Sequence, residues 1–124
     1  KRYGFTLIEL LTVIIIIGAL AVIALPKFVN TRERAYLAAM KSDLRNLATA
    51  EENYFSEYMI YTTSTTSIQA NISANVDVYI PHADVQGWRA TATHIAAPGR
   101  VCELYYGSGT GGSTATSEGQ VECN

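Results

Sequence analysis

Glu9 is the residue of this 124-residue chain whose type and position most demand chemistry, because it sits inside an apolar run from Phe5 to Leu25 and five residues past Gly4. An ionised side chain costs about 2.5–3.5 kcal/mol at the centre of a membrane helix, and less near its ends, so it asks for a cation. The dipole and free N–H groups of a first helical turn offer only ~0.3–1 kcal/mol. A cut after Gly4 would create the missing cation as the new α-amine of Phe5, one helical turn away. Within one chain that amine and the carboxylate do not readily meet, but between neighbouring chains they do. At about 4 Å and an effective dielectric near 20 the pair gains roughly 4 kcal/mol before desolvation, enough to decide the axial register of two packed helices.

Other reactive residue types are sparse. Cys102 and Cys123 form an even pair, which in an exported chain reads as a disulfide. Closing a loop of about 22 residues would stabilise by roughly 3 kcal/mol. A metal or redox site is the alternative, although the chain holds no Cys-x-x-Cys. His82 and His94, with Asp84 near the first, match no usual zinc spacing and read better as satisfied or surface side chains. Neither a nucleophile elbow nor a pair of catalytic carboxylates stands out, so catalysis is not expected. The Gly/Ser/Thr stretch from Gly107 to Gly119 lacks the Gly-x-x-x-x-Gly-Lys-[Ser/Thr] form of a phosphate cradle. Asn71-Ile72-Ser73 is a glycosylation sequon that chance explains equally well.

Glu9 needs a helix to carry it. At about 1.5 Å per residue, Phe5 to Leu25 spans roughly 30 Å, the thickness of a bilayer's hydrocarbon core. Lys1-Arg2-Tyr3-Gly4 reads as the basic end of a leader. An ordinary cleaved signal or signal anchor is the plainer alternative, but its small-residue site would be Ala21-Val22-Ile23-Ala24, only weakly of that form. Lys27, Arg32 and Arg34 lie just beyond the run, on the side that should be exported, and so blur the charge asymmetry that orients such helices.

Gly4 followed by Phe5-Thr6-Leu7-Ile8-Glu9-Leu10-Leu11, with Gly18 in the run, Pro26 at its end and Phe28 beyond, resembles the amino terminus of bacterial type IV pilins and of type II secretion pseudopilins. The match is close over about the first 30 residues and looser after. It implies cleavage between Gly4 and Phe5 by a prepilin peptidase, N-methylation of Phe5, and a Glu9 contact to the Phe5 amine of a neighbouring subunit during assembly. It further implies storage as a single-pass inner-membrane protein, an ATP-driven assembly machine, a helical homo-oligomeric filament at the cell surface, and no cofactor.

Beyond the membrane segment, Leu37, Met40, Leu44, Leu47, Tyr54 and Tyr58 recur at helical spacing and extend the helix through residues 31–61, with Glu51 expected at the margin of the stripe. Pro26 removes a backbone donor and crowds the carbonyl of Val22, so a kink is expected there and a second weak point at Gly18, for which close helix packing is an equal reading. Residues 62–67 form a polar loop, and 68–74 are ambiguous between a short helix and coil. Strands are expected at 76–80, stopped by Pro81, at 88–93, at 100–106 and at 120–123, with Trp88, Ala90 and Ala92 facing the core. Residues 107–119 read as a flexible loop held at its base by the cysteines. In pilins the resembling region is exposed and variable, so it is either a partner surface or an inert loop. The expected fold class is α+β, with a long kinked helix on a three- or four-stranded antiparallel sheet and a disulfide-bounded C-terminal loop. Its segments are a leader remnant at 1–4, a transmembrane and assembly helix at 5–30, its amphipathic continuation at 31–61 and a globular head at 62–124.

Loss of residues 1–4 would leave 7 basic against 11 acidic residues, taking the formal charge from −2 to −4, which is no nucleic-acid footprint. The leading expectation is a major pilin. The alternatives are a minor pilin with a binding head and a secretion pseudopilin. The major pseudopilins that bind calcium do so near the carboxyl end, where Glu103, Glu118 and Glu122 form no clear cage. Conduction along Phe5, Phe28, Tyr36, Tyr54, Phe55, Tyr58 and Tyr61 is a more remote reading, since packing explains them more economically.

Overall fold

The computed structural model describes residues 4–109 and 112–124, so Lys1 to Tyr3 of the expected leader remnant and two residues of the glycine-rich loop lie outside the described residues. One helix, α1 (Leu7–Tyr58), is followed by four strands, β1 (Val76–Ala83), β2 (Gly87–His94), β3 (Val101–Gly107) and β4 (Glu122–Cys123). The chain divides into two compact units between Arg34 and Ala35.

In the first unit the helix presents its apolar side chains outward on every side. From Leu7 to Val29 the large hydrophobic residues are all exposed, Val22 at 75% and Phe28 at 65%. Such a surface is stable only in lipid or against other apolar helices. The helical assignment runs without interruption through Gly18 and Pro26, with open space where a Cβ on Gly18 would sit.

The second unit holds the core. The strands pair in sequence order as an antiparallel sheet. Met40, Leu44 and Leu47 of α1 are fully buried with Trp88, Ala90 and Ala92 of β2, as the strand's alternation predicts, and with Cys102 and Leu104 of β3. Each such aliphatic side chain contributes roughly 1.5–3 kcal/mol on burial.

Four details depart from the sequence reading. Helix α1 stops at Tyr58, where Met59 takes the left-handed conformation (φ 57°) and its N–H closes on the carbonyl of Phe55. Glycine is usual at such a cap, so the stop carried no sequence signal. Tyr58 is 56% exposed instead of completing the core stripe, and Glu51 is not marginal but wholly buried. Pro81 does not end β1. The register shifts by one between Tyr79 and His82, so that a bulge on an edge strand absorbs the residue that cannot donate. Residues 68–69 end a turn and 70–73 are irregular, in line with the coil reading, with Ile68 entering the core.

Candidate functional site

The amino-terminal site is built on Thr6. Its hydroxyl accepts from the N–H of Glu9 (3.3 Å) while its own N–H and Oγ1–H donate to Glu9 Oε2 at 2.9 and 2.7 Å. This reciprocal arrangement is a capping box, which satisfies otherwise orphaned donors at the helix start. Its signal, Thr-x-x-Glu ahead of an apolar run, was present in the sequence and overlooked. The consequence is that Glu9 is held within its own chain through Oε2, and Oε1 has no hydrogen bond to it among the described residues. One turn on, Thr12 hides its hydroxyl by donating to the carbonyls of Ile8 and Glu9, so it adds no second open polar group. Gly4 and Phe5 precede the helix in open surroundings, Phe5 at 81% exposure.

Comparison with known proteins addresses the same residues. The family model described as the prokaryotic N-terminal methylation motif matches residues 1–25. The chain is 46% identical over 57 residues to the type IV major pilin protein PilA of Myxococcus xanthus, an alignment covering 46% of this chain and 26% of that protein. It is 35% identical over 74 residues to the type II secretion system core protein G of Klebsiella pneumoniae, covering 60% of this chain and 53% of the relative. The core protein G of Pseudomonas aeruginosa is 26% identical over 98 residues, with 71% and 69% covered. The amino-terminal 25 residues carry this motif, and the chain is similar in part to a type IV pilin and to type II secretion core proteins. The matches span about a quarter of the Myxococcus pilin and about half of the Klebsiella protein. An exposed apolar amino-terminal helix carrying this motif fits an inner-membrane anchor.

Cys102 and Cys123 are joined as a disulfide across β3 and β4. The loop they bound is tied down in its described part. Glu103, 3% exposed on the sheet face opposite the core, accepts through Oε2 from the N–H groups of Thr114 and Ala115 (3.0 and 2.9 Å) and lies 3.7 Å from Arg89 Nε. Gly112 runs against that carboxylate so closely that any Cβ would collide with it. Glu118 accepts from the N–H of Gly107, and Glu122 from the N–H and hydroxyl of Thr116. Those Thr116 bonds, backbone first, hold the Glu122 carboxyl below its ordinary pKa. The three acids weighed as calcium ligands therefore serve as acceptors for loop amides. No group of three or more His, Cys, Asp or Glu side chains suited to a metal occurs among the described residues.

His82 Nε2 lies 3.2 Å from Asp84 Oδ2 and 3.4 Å from Ser108 Oγ, while the Ser108 hydroxyl donates to Asp84 Oδ1 at 2.7 Å. One ring nitrogen faces both partners and the serine proton points to the acid, so no nucleophile relay exists. The group clips the β1–β2 turn, where Asp84 also accepts from the N–H groups of Gln86 and Gly87. The Ser108 bond, followed by that of Gln86, lowers the Asp84 pKa. His94 stacks on Tyr36 with centroids 4.3 Å apart. Tyr54 meets Tyr58 within the helix, and Phe55 meets Tyr61 of the turn that follows it, each at 4.5 Å.

Two further acids escaped sequence reading. Asp43, 2% exposed, accepts from the N–H and hydroxyl of Ser73, which engages the serine of the Asn71 sequon. Glu51 accepts from the N–H of Thr62 at 3.1 Å. Both lie on the core face of α1 and fasten the connector to β1 at its two ends.

Proposed function

We propose that this chain is the repeating structural subunit of a type IV filament. It is held in the inner membrane by its apolar helix, processed after Gly4 by a prepilin peptidase, methylated at Phe5, and assembled outward by an ATP-driven machine. The observation that carries the reading is the first part of α1, whose large apolar side chains from Leu7 to Val29 all stay exposed and which begins beside a capped acid five residues past Gly4. Thirteen large aliphatic residues between Leu7 and Leu25 would gain about 20–40 kcal/mol on leaving water, but they gain that already in lipid. Transfer to a filament core is therefore close to neutral, and a motor is needed to drive it.

Glu9 supports register in this scheme. Its Oε2 stays with Thr6 while Oε1 meets the Phe5 amine of a neighbour, so the acid needs no rearrangement to accept the cation. Gly18 and Pro26 would let the helix bend as it packs. The test uses two variants. Glu9→Ala inserts normally and yields few or no sheared fibres, and normal piliation by it would overturn the pairing. Gly4→Asp leaves an uncut precursor, read by mass spectrometry at the amino terminus.

A second reading is favoured by one observation: the core protein G matches from Klebsiella and Pseudomonas are longer, at 74 and 98 residues, than the 57 of the pilin match. A secretion pseudopilin would give few sheared surface fibres and a secretion defect when deleted. A minor pilin would appear at low copy in purified fibres.

A further inference from the structure

Glu51 is the one acid of the second unit that the scaffold buries and only half satisfies. It is fully buried, its Oε2 accepts from the Thr62 N–H, and its Oε1 has no partner among the described residues. Among the groups acting on it, the Glu52 carboxylate disfavours a second negative charge. Glu52 stands beside it on α1, and Tyr61, on the turn that leaves the helix, donates its hydroxyl to Glu52 at 3.0 Å and lies within electrostatic reach of both Glu51 and Tyr106 of β3. Asp84 reaches the same turn through its carbonyl, which accepts from the Tyr61 N–H. No basic residue stands in the last turn of the helix.

The segment that seals Glu51 is held lightly. Met59 is in the left-handed conformation, an unfavourable one for a residue with a Cβ. Tyr58, Met59 and Ile60 are exposed, and the turn is otherwise held by the Phe55–Tyr61 ring contact and the Tyr61–Asp84 backbone bond.

We propose that Glu51 is a proton-operated latch on the 59–62 turn, closed when its carboxyl is neutral and loosened when the carboxyl ionises and draws in water. A neutral carboxyl keeps an acceptor for Thr62 and carries no buried charge, whereas the anion has one oxygen without a described partner in a dry site and the Glu52 carboxylate beside it. Burial, reinforced by Glu52 and only partly offset by the Thr62 bond, raises the Glu51 pKa to about 7, so the latch would work near neutrality. The consequence is that the apolar Tyr58-Met59-Ile60 tip and the start of the connector respond to the pH outside the membrane.

The test is NMR on the full chain in detergent micelles, with the Glu carboxyl carbons labelled. Glu51 should titrate with a midpoint near neutrality, and Thr62 amide exchange should accelerate through that midpoint by roughly tenfold beyond the ordinary base-catalysed rise. Glu51→Gln should remove the extra acceleration and leave Cys102 and Trp88 shifts unchanged. A carboxyl midpoint below about 5 in the wild-type chain would overturn the latch, whatever the variant does. Equal Thr62 protection in the two proteins across the range would overturn it as well.

Discussion

At the scale of single residues, the amino-terminal motif and the core acids solve opposite problems. Glu9 is held at an exposed helix start by its own cap, whereas Glu51 is enclosed by the fold and has one oxygen without a partner among the described residues. The sign of the Glu51 effect follows from its raised pKa. Below about pH 4.5 the carboxyl is neutral in both folded and unfolded chains; above it the unfolded chain ionises first, and stability falls until about pH 7, where the penalty is complete. That penalty is on the order of 2–3 kcal/mol. Glu51→Gln is therefore expected to gain little at pH 5 and most of that amount at pH 8, measured by denaturant unfolding at the two pH values. Asp84 and Glu122, whose pKa values are lowered, act the other way and weaken the head as pH falls through the carboxylate range. Glu51 was misplaced from sequence because periodicity locates a helix face but not the tightness with which a later turn closes over it.

Among the elements, the helix and the strand positions were legible and the closures between them were not. Alternation in Trp88-Arg89-Ala90-Thr91-Ala92 named the buried face of β2 correctly, since a period of two is a local property. Pro81 misled because a missing donor forbids only a ladder position, and the bulge opposite β2 gave it one that needs no donor. The loop before β4 was read from composition alone, which could not show that Glu103 lies beneath it. The disulfide is the covalent counterpart of that anchoring. Replacing both cysteines with serine is expected to cost about 3 kcal/mol, seen as a lower unfolding midpoint for the chain in detergent, with α1 helicity retained in circular dichroism.

The molecule as a whole is two kinds of surface in one chain. Residues up to Arg34 have their apolar groups turned outward, while Ala35–Asn124 has a core of its own, closed by a disulfide. A fragment beginning at Ala35 is expected to be soluble without detergent and to unfold cooperatively; aggregation or a broad, non-cooperative melt would show that the core needs the first unit.

The clamp on the C-terminal loop has a consequence for substitution. Glu103 grips main-chain amides at Thr114 and Ala115, and steric demands fall on Gly112, pressed against that carboxylate, and on the buried Ala115. Side chains such as that of Ser113, exposed between them, play no part in the grip. Substitutions at such positions are thus expected to leave the unfolding midpoint of the head unchanged, so that the exposed side chains of the loop can differ on one scaffold.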